Sequence, residues 1–359
     1  MAKRILLTGG GSAGHVTPNL ALIPRLKAEG FEIHYVGTAD GKEHKLVASR
    51  EDVTYHVISA GKLRRYFSLQ NFIDPFRTLK GLVQARRIQK SVDPDVVFSK
   101  GGFVSLPVVL AARAKTPVVT HESDYTPGLA NRIIAMRADK ICVTFEDTLK
   151  FTRAKGVHTG TPIRPELYGG SKEEGLKILG FSGEKPVLLA MGGSQGAQAI
   201  NAALRAALPE LCKRFDVAHL CGEGKRDESI RMDGYVQCEY MSEELPHVLA
   251  AADLVVSRAG ANSIFEFLAL AKPALLIPLP QSKVSRGDQI VNAGYFQKKG
   301  YAAVLPQEKL TPETLIAAVD CLFNDRGKYA DTMRDEKLND GTEGVLRVIR
   351  EAAERGRKK

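Results

Sequence analysis

Short apolar runs, each closed by glycine or a polar turn, recur along the chain with helical patterns between them. Residues 3–9 (KRILLTG), 31–37 (FEIHYVG), 94–102 (PDVVFSKGG), 116–123 (TPVVTHES) and 140–145 (KICVTF) are of this kind. Near-continuous apolar strands suit a parallel sheet covered on both faces. Between the first two, residues 18–30 (PNLALIPRLKAEG) carry apolar residues at helical spacing and end on Gly30, a helix stop. The layout then restarts. Residues 185–204 (KPVLLAMGGSQGAQAINAAL) repeat the order of residues 3–22 (KRILLTGGGSAGHVTPNLAL): charge, apolar run, glycines, helix. Further strand-like runs follow at 216–222, 233–241, 252–260, 273–280 and 302–306. The pattern predicts an α/β protein of two Rossmann-like halves. Gly160, Pro162, Pro165, Gly169 and Gly170 cluster at the expected join. The expected division is 1–163 and 164–342, with 343–359 a basic helix that returns toward the first half.

Length and composition narrow this picture. At roughly 100–200 residues per domain, 359 residues accommodate two. Hydrophobic content of 44% and charged content of 26% are ordinary for a globular protein. The five cysteines, at 142, 212, 221, 238 and 321, form no CxxC pair. That argues against a zinc ribbon or a disulfide framework and fits a reducing cytoplasm. The opening MAKRILLTGG is not expected to be a signal peptide, and no apolar stretch approaches the roughly 18 residues of a membrane span. A net charge of +10 suits an anionic membrane surface, a nucleic acid or an anionic small substrate.

Two glycine loops carry the candidate chemistry. Gly9, Gly11 and Gly14 satisfy GxGxxG between a strand and a helix. This spacing lets backbone approach a pyrophosphate at a helix N-terminus, or it serves a tight turn alone. A dinucleotide site also wants an acid at the end of the second strand; that strand ends in Gly37-Thr38, with Asp40 further out. In the second loop, residues 191–197 (MGGSQGA), Ser194 and Gln195 add a hydroxyl and an amide beside free N–H groups. Ligands of open α/β sheets lie beyond the strand C-termini, so two halves facing each other would form one cleft.

At this point the sequence resembles the MurG family of bacterial peptidoglycan synthesis along essentially its whole length. The matching pieces are GGSAGHVTPNLALI, KGGFVSLPVVLAA, HESDYTPGLANRI, GTPIR, MGGSQGAQAIN, SRAGANSIFEFLALAKPALLIPLP and DQIVNA, in order and at matching spacing. The resemblance implies a GT-B glycosyltransferase fold and inverting transfer of N-acetylglucosamine (GlcNAc) from UDP-GlcNAc. The acceptor would be the C4 hydroxyl of undecaprenyl-pyrophosphoryl-N-acetylmuramyl-pentapeptide. It further implies no cofactor and no essential metal, and a peripheral place at the cytoplasmic membrane face. There an anionic membrane surface and other cell-wall synthesis proteins are the expected partners, and nucleic acid is not.

By the same resemblance the donor set is Ser12, Ala13, Gly14, Arg164, Ser194, Gln195, Met241, Ala261, Asn262, Ser263, Ile264, Phe265, Glu266 and Gln289. Glu266 would accept from the ribose hydroxyls, Gln289 would bond the GlcNAc hydroxyls, and Arg164 would face the diphosphate, where a guanidinium suits leaving-group charge. The acceptor set is Gly10, Gly11, His121, Glu122 and Asn131, with Phe103 a further candidate. Inversion calls for one in-line displacement, and hence for a base at the acceptor hydroxyl. His15, directly after the glycines, is the candidate: a neutral imidazole suits that task at cytoplasmic pH, and a helix start keeps it neutral. Two alternatives stand. His15 caps or hydrogen-bonds a phosphate, or the base is His121-Glu122 at the end of residues 116–123. Where many family members read HEQ followed by Asn, this chain reads HES followed by Asp124, which leaves that contact open.

Asp93-Pro-Asp95 matches the metal-binding DxD pattern of another glycosyltransferase fold, but it precedes its strand and so points to the other sheet edge. Residues 62–90 hold eight Lys or Arg and one acid, interleaved with Leu63, Tyr66, Phe67, Leu69, Phe72, Ile73, Phe76, Leu79, Leu82 and Val83. This is either a membrane-docking face or a core-facing amphipathic helix with a solvated basic side. The competing functions are a dinucleotide-dependent oxidoreductase on the first glycine loop and a non-catalytic membrane scaffold.

Overall fold

The computed structural model describes residues 2–61, 70–193, 196–282 and 285–357, with backbone alone for 70–73. Ser194 and Gln195 therefore lie outside the described residues, as does the first part of the basic segment. The chain divides into two compact units, Met1–Arg164 with Asp340–Lys359, and Pro165–Asn339.

The first unit is built on β1 (Lys3–Thr8), β2 (Phe31–Gly37), β3 (Thr54–Val57), β4 (Val96–Ser99), β5 (Val118–Glu122), β6 (Lys140–Val143) and β7 (Gly156–His158). All pair in parallel, in the order β3-β2-β1-β4-β5-β6-β7. The continuous apolar character of β1 has a direct cause. Ile5 and Leu7 belong to the core on one face of the sheet and Leu6 to the core on the other, so no position is left for a polar residue. The covering helices are α1 (Thr17–Ala28), α2 (Lys42–Val47), α3 (Gln70–Val92), α4 (Ser105–Leu110) and α5 (Leu129–Arg137). Pro18 stands in the first turn of α1, where its missing N–H costs nothing.

The second unit repeats the plan with β8 (Val187–Met191), β9 (Asp216–Leu220), β10 (Tyr235–Cys238), β11 (Leu254–Ser257), β12 (Ala274–Leu276) and β13 (Ala302–Val304). Its parallel order is β10-β9-β8-β11-β12-β13. The helices are α6 (Lys172–Leu179), α7 (Gln198–Leu211), α8 (Leu245–Ala251), α9 (Ala261–Ala269), α10 (Asp288–Lys299) and α11 (Pro312–Arg334). In each unit the chain reverses its direction across the sheet after the third strand. The switch points lie between β1 and β4 and between β8 and β11, the places at whose strand C-termini open α/β sheets bind their ligands.

The last helix, α12 (Thr342–Arg357), belongs to the first unit. Val345, Leu346, Val348, Ile349, Ala352 and Ala353 are buried in one core with Ile5, Leu22 and Tyr35. The Gly341 N–H donates to the Thr161 carbonyl at 2.9 Å, and the Ile163 N–H to Thr342 Oγ1 at 3.2 Å. Strand starts are tied by acids: Asp95, Asp139 and Asp253 each accept a backbone N–H at 2.8 Å, from Arg4, Val118 and Val187. Asp95 of the DxD match is used in this way, while Asp93 pairs with Arg113 and, at 3.4 Å, with Lys115. The two carboxylates thus serve different neighbours.

Candidate active site

The first glycine loop runs from the end of β1 over a short 3-10 turn, Ala13–His15, into α1. Beneath it lies Glu43 of α2, fully enclosed. One carboxylate oxygen accepts from the Thr38 N–H at 3.1 Å and the Thr38 hydroxyl at 2.6 Å; the other accepts from the Gly11 N–H at 3.1 Å. A side chain at Gly10 would meet this carboxylate, its Cβ falling 2.5 Å from the Glu43 carboxyl carbon. The loop is glycine-rich in part because a buried acid supports it. That acid takes up the Gly11 N–H, so the shape of the loop is held from beneath by the protein itself.

A second support fixes the loop entrance. Asn19 of α1 donates to the Thr8 carbonyl at 3.3 Å and to the Tyr35 hydroxyl at 3.2 Å, and Tyr35 donates to the Gly9 carbonyl at 2.6 Å. The second unit has a comparable buried group, anchored at the exit of its neighbouring strand β9. Asn201 of α7 donates to the Cys221 carbonyl at 2.8 Å, and its amide oxygen lies 3.0 Å from His219 Nε2. His219 Nδ1 lies 2.9 Å from the Tyr235 hydroxyl. Burial lowers the His219 pKa to about 4, so this imidazole is neutral and structural.

Beside the first loop stand the exits of β4 and β5. His15 is half-buried, and its ring lies against Gly102, where a Cβ would come 2.8 Å from His15 Cδ2; Gly102 also has φ 81°, the left-handed region. Phe103 packs against Gly11. At the end of β5, His121 is fully buried and its Nε2 lies 2.9 Å from the Gly160 carbonyl. Burial, and then the charge of Lys100, hold its pKa well below the usual value, so Nε2–H donates and the ring is neutral. Glu122 accepts from Asn131 Nδ2 at 2.7 Å, the Asp124 N–H at 3.0 Å and the Gly128 N–H at 3.3 Å. Desolvation, with Asp124 adding to it, pushes the Glu122 carboxyl up to about 7. The structure thus brings Gly10, Gly11, Ser12, Ala13, Gly14, His15, His121, Glu122 and Asn131 to one sheet edge of the first unit.

Lys100 completes this group. It is 1% exposed, and its ammonium donates to Ser123 Oγ. Its pKa falls to about 8 through burial, opposed by Glu122 and Asp124. Neither Lys100 nor Glu43 was among the sequence candidates. A lysine closing the apolar run 96–99 was a usable sign; Glu43, in the charged stretch GKEHKLV, carried none.

In the second unit the candidates gather at the corresponding edge. Gly192 and Gly193 follow β8, and Met241, buried, follows β10. Residues 261–266 form the first part of α9, with Ala261, Ile264, Phe265 and Glu266 buried and Asn262 and Ser263 half-buried. An acid there is 7% exposed, well inside the helix rather than on its surface. Gln289, second residue of α10, accepts the Leu279 N–H at 2.9 Å, which leaves its amide donors available for other bonds. Arg164 is half-buried at the end of the first stretch of the first unit.

Comparison with known proteins gives this geometry a context. Residues 5–143 match the glycosyltransferase family 28 N-terminal domain and residues 187–346 its C-terminal domain. The chain is 51% identical over 352 residues to the UDP-N-acetylglucosamine–N-acetylmuramyl-(pentapeptide) pyrophosphoryl-undecaprenol N-acetylglucosamine transferase of Clostridium tetani, covering 97% of this chain and 98% of that one. Identity to the enzyme of the same name from Lachnoclostridium phytofermentans is 53%, over 97% and 99% of the two chains. A crystal structure of MurG from Acinetobacter baumannii is similar with a TM-score of 0.74 and 25% identity, covering 97% and 99%. The chain belongs to the MurG family. It is a glycosyltransferase with the GT-B fold that this family implies. The calicheamicin glycosyltransferase CalG4, at 16% identity and a TM-score of 0.69, shares that fold alone.

Proposed function

We propose that this chain transfers GlcNAc from UDP-GlcNAc to the C4 hydroxyl of undecaprenyl-pyrophosphoryl-N-acetylmuramyl-pentapeptide, with inversion and without a metal. The observation that carries the reading is identity of 51% over 97% of the chain with an enzyme named for that transfer. The donor belongs mainly to the second unit: Glu266 takes the ribose, Gln289 the sugar hydroxyls, and Ser194 and Gln195 the diphosphate, while Arg164, the residue just before that unit begins, offsets charge on departing UDP. The acceptor belongs to the first unit, at Gly10, Gly11, Glu122 and Asn131, beside His15. Of the two histidines, His15 is the base. Its ring is half-buried, whereas His121 is 0% exposed and engaged with Gly160, out of reach of a substrate hydroxyl.

The lipid-linked acceptor calls for membrane contact, and α3 supplies a surface. Phe76, Leu79 and Val83 are 74%, 59% and 43% exposed at i, i+3 and i+7, flanked by Arg77, Lys80, Arg86 and Arg87. The opposite side of α3 is occupied: Gly81 and Ala85 are buried and Gln89 donates to the Val108 carbonyl at 2.8 Å. No helix among the described residues is long and apolar enough to cross a membrane. Peripheral attachment at the cytoplasmic face, through anionic lipid, fits this arrangement.

UDP release with and without a polyprenyl-pyrophosphoryl muramyl-pentapeptide tests the reading. Acceptor-dependent release that persists in a chelator is the expected result. Release independent of the acceptor, or protection of the fold by NAD and not by UDP, would count against it.

A further inference from the structure

The end of β5 presents an electrostatic problem. Glu122 and Asp124 stand two residues apart at one strand end, and Glu122 is 5% exposed. Asp124 is half-buried, and a buried carboxylate beside a second acid ionises readily only with a cation close by. Lys100 is that cation. It enters from β4, where its N–H donates to the Thr8 carbonyl at 2.8 Å and its Cβ lies under Gly9. Its ammonium bonds Ser123, the residue between the two acids. An enclosed ammonium is itself costly unless paired, so each charge makes the other tolerable.

We propose that Lys100 is a positioning residue for acceptor binding: as the shared counter-charge of Glu122 and Asp124, bound to Ser123, it holds the 121–131 turn in its working shape. The idea rests on the function proposed above. The charged and titratable groups facing Lys100 are His121, Glu122 and Asp124 from β5 and its exit, and Cys142 from β6, whose thiol also feels the charge of Arg347 of α12.

A double-mutant cycle tests this with Lys100→Met, Asp124→Asn and the pair together, reading kcat and KM for each substrate and, separately, stability to denaturant. Lys100→Met should raise the acceptor KM at least tenfold and leave the donor KM within twofold. Adding Asp124→Asn should recover most of that loss, since the uncompensated acid is then gone. A purely space-filling lysine would give additive effects, and additive effects overturn the proposal. Should Lys100→Met not fold, the pair decides: it is expected to fold with an acceptor KM within tenfold of wild type, and an unfolded pair overturns the proposal. Inactive wild-type protein would sink the proposed transferase function instead, and the unfolding cycle, which needs no substrate, would still decide the pairing.

Discussion

Single residues decide the chemistry. If His15 is the base, His15→Ala should lower kcat by about 10²–10⁴ while UDP protects the variant from thermal unfolding as it does wild type. Equal loss of UDP protection would instead make His15 a donor contact. Glu43 acts through the loop it supports. Glu43→Gln keeps the volume but leaves one of its two sets of donors facing an amide NH2, at a cost of about 1–3 kcal/mol in denaturant unfolding. Glu122 makes a pH prediction. Its carboxyl is raised from 4.5 to about 7, so the folded state holds a proton that the unfolded chain releases. The contribution is fully present below pH 4.5 and is lost as pH rises through about 7. The fall in stability over that window should flatten in Glu122→Gln, and an unchanged slope would show that Glu122 is not its source.

At the scale of elements, periodicity was legible wherever both sides of a segment are buried. The run 3–9 reads as a strand because β1 feeds two cores. The segment 62–90 was ambiguous because a membrane face and a core face have the same composition; burial of Gly81 and Ala85 against exposure of Phe76 and Leu79 assigns the faces of α3. Replacing Phe76 and Leu79 by serine should leave stability within roughly 0.5 kcal/mol, since both side chains are exposed. Co-sedimentation with anionic vesicles should fall severalfold. Retained vesicle binding would place the lipid contact elsewhere.

Across the whole molecule, α12 completes the core of the first unit although it lies at the far end of the chain. Ile349→Ala removes a fully buried side chain and should cost about 2–5 kcal/mol, measured as loss of first-unit protection in hydrogen exchange. The repeat of the plan extends below what sequence comparison of the halves displayed. Asn19 with Tyr35 and Asn201 with His219 each join the helix that follows a unit's first strand to its second strand, yet Tyr35 and His219 share no chemistry beyond a buried hydrogen-bonding ring.

The sequence by itself determined the two α/β halves, the glycine loops and the family, because apolar period and motif spacing are properties of contiguous residues. Tertiary structure decided which charges are buried together. Glu43 under Gly11 and Lys100 beside Ser123 join segments 32 and 23 residues apart. A charged residue's meaning depends on the dielectric and the partners that folding places around it, and no local pattern encodes those.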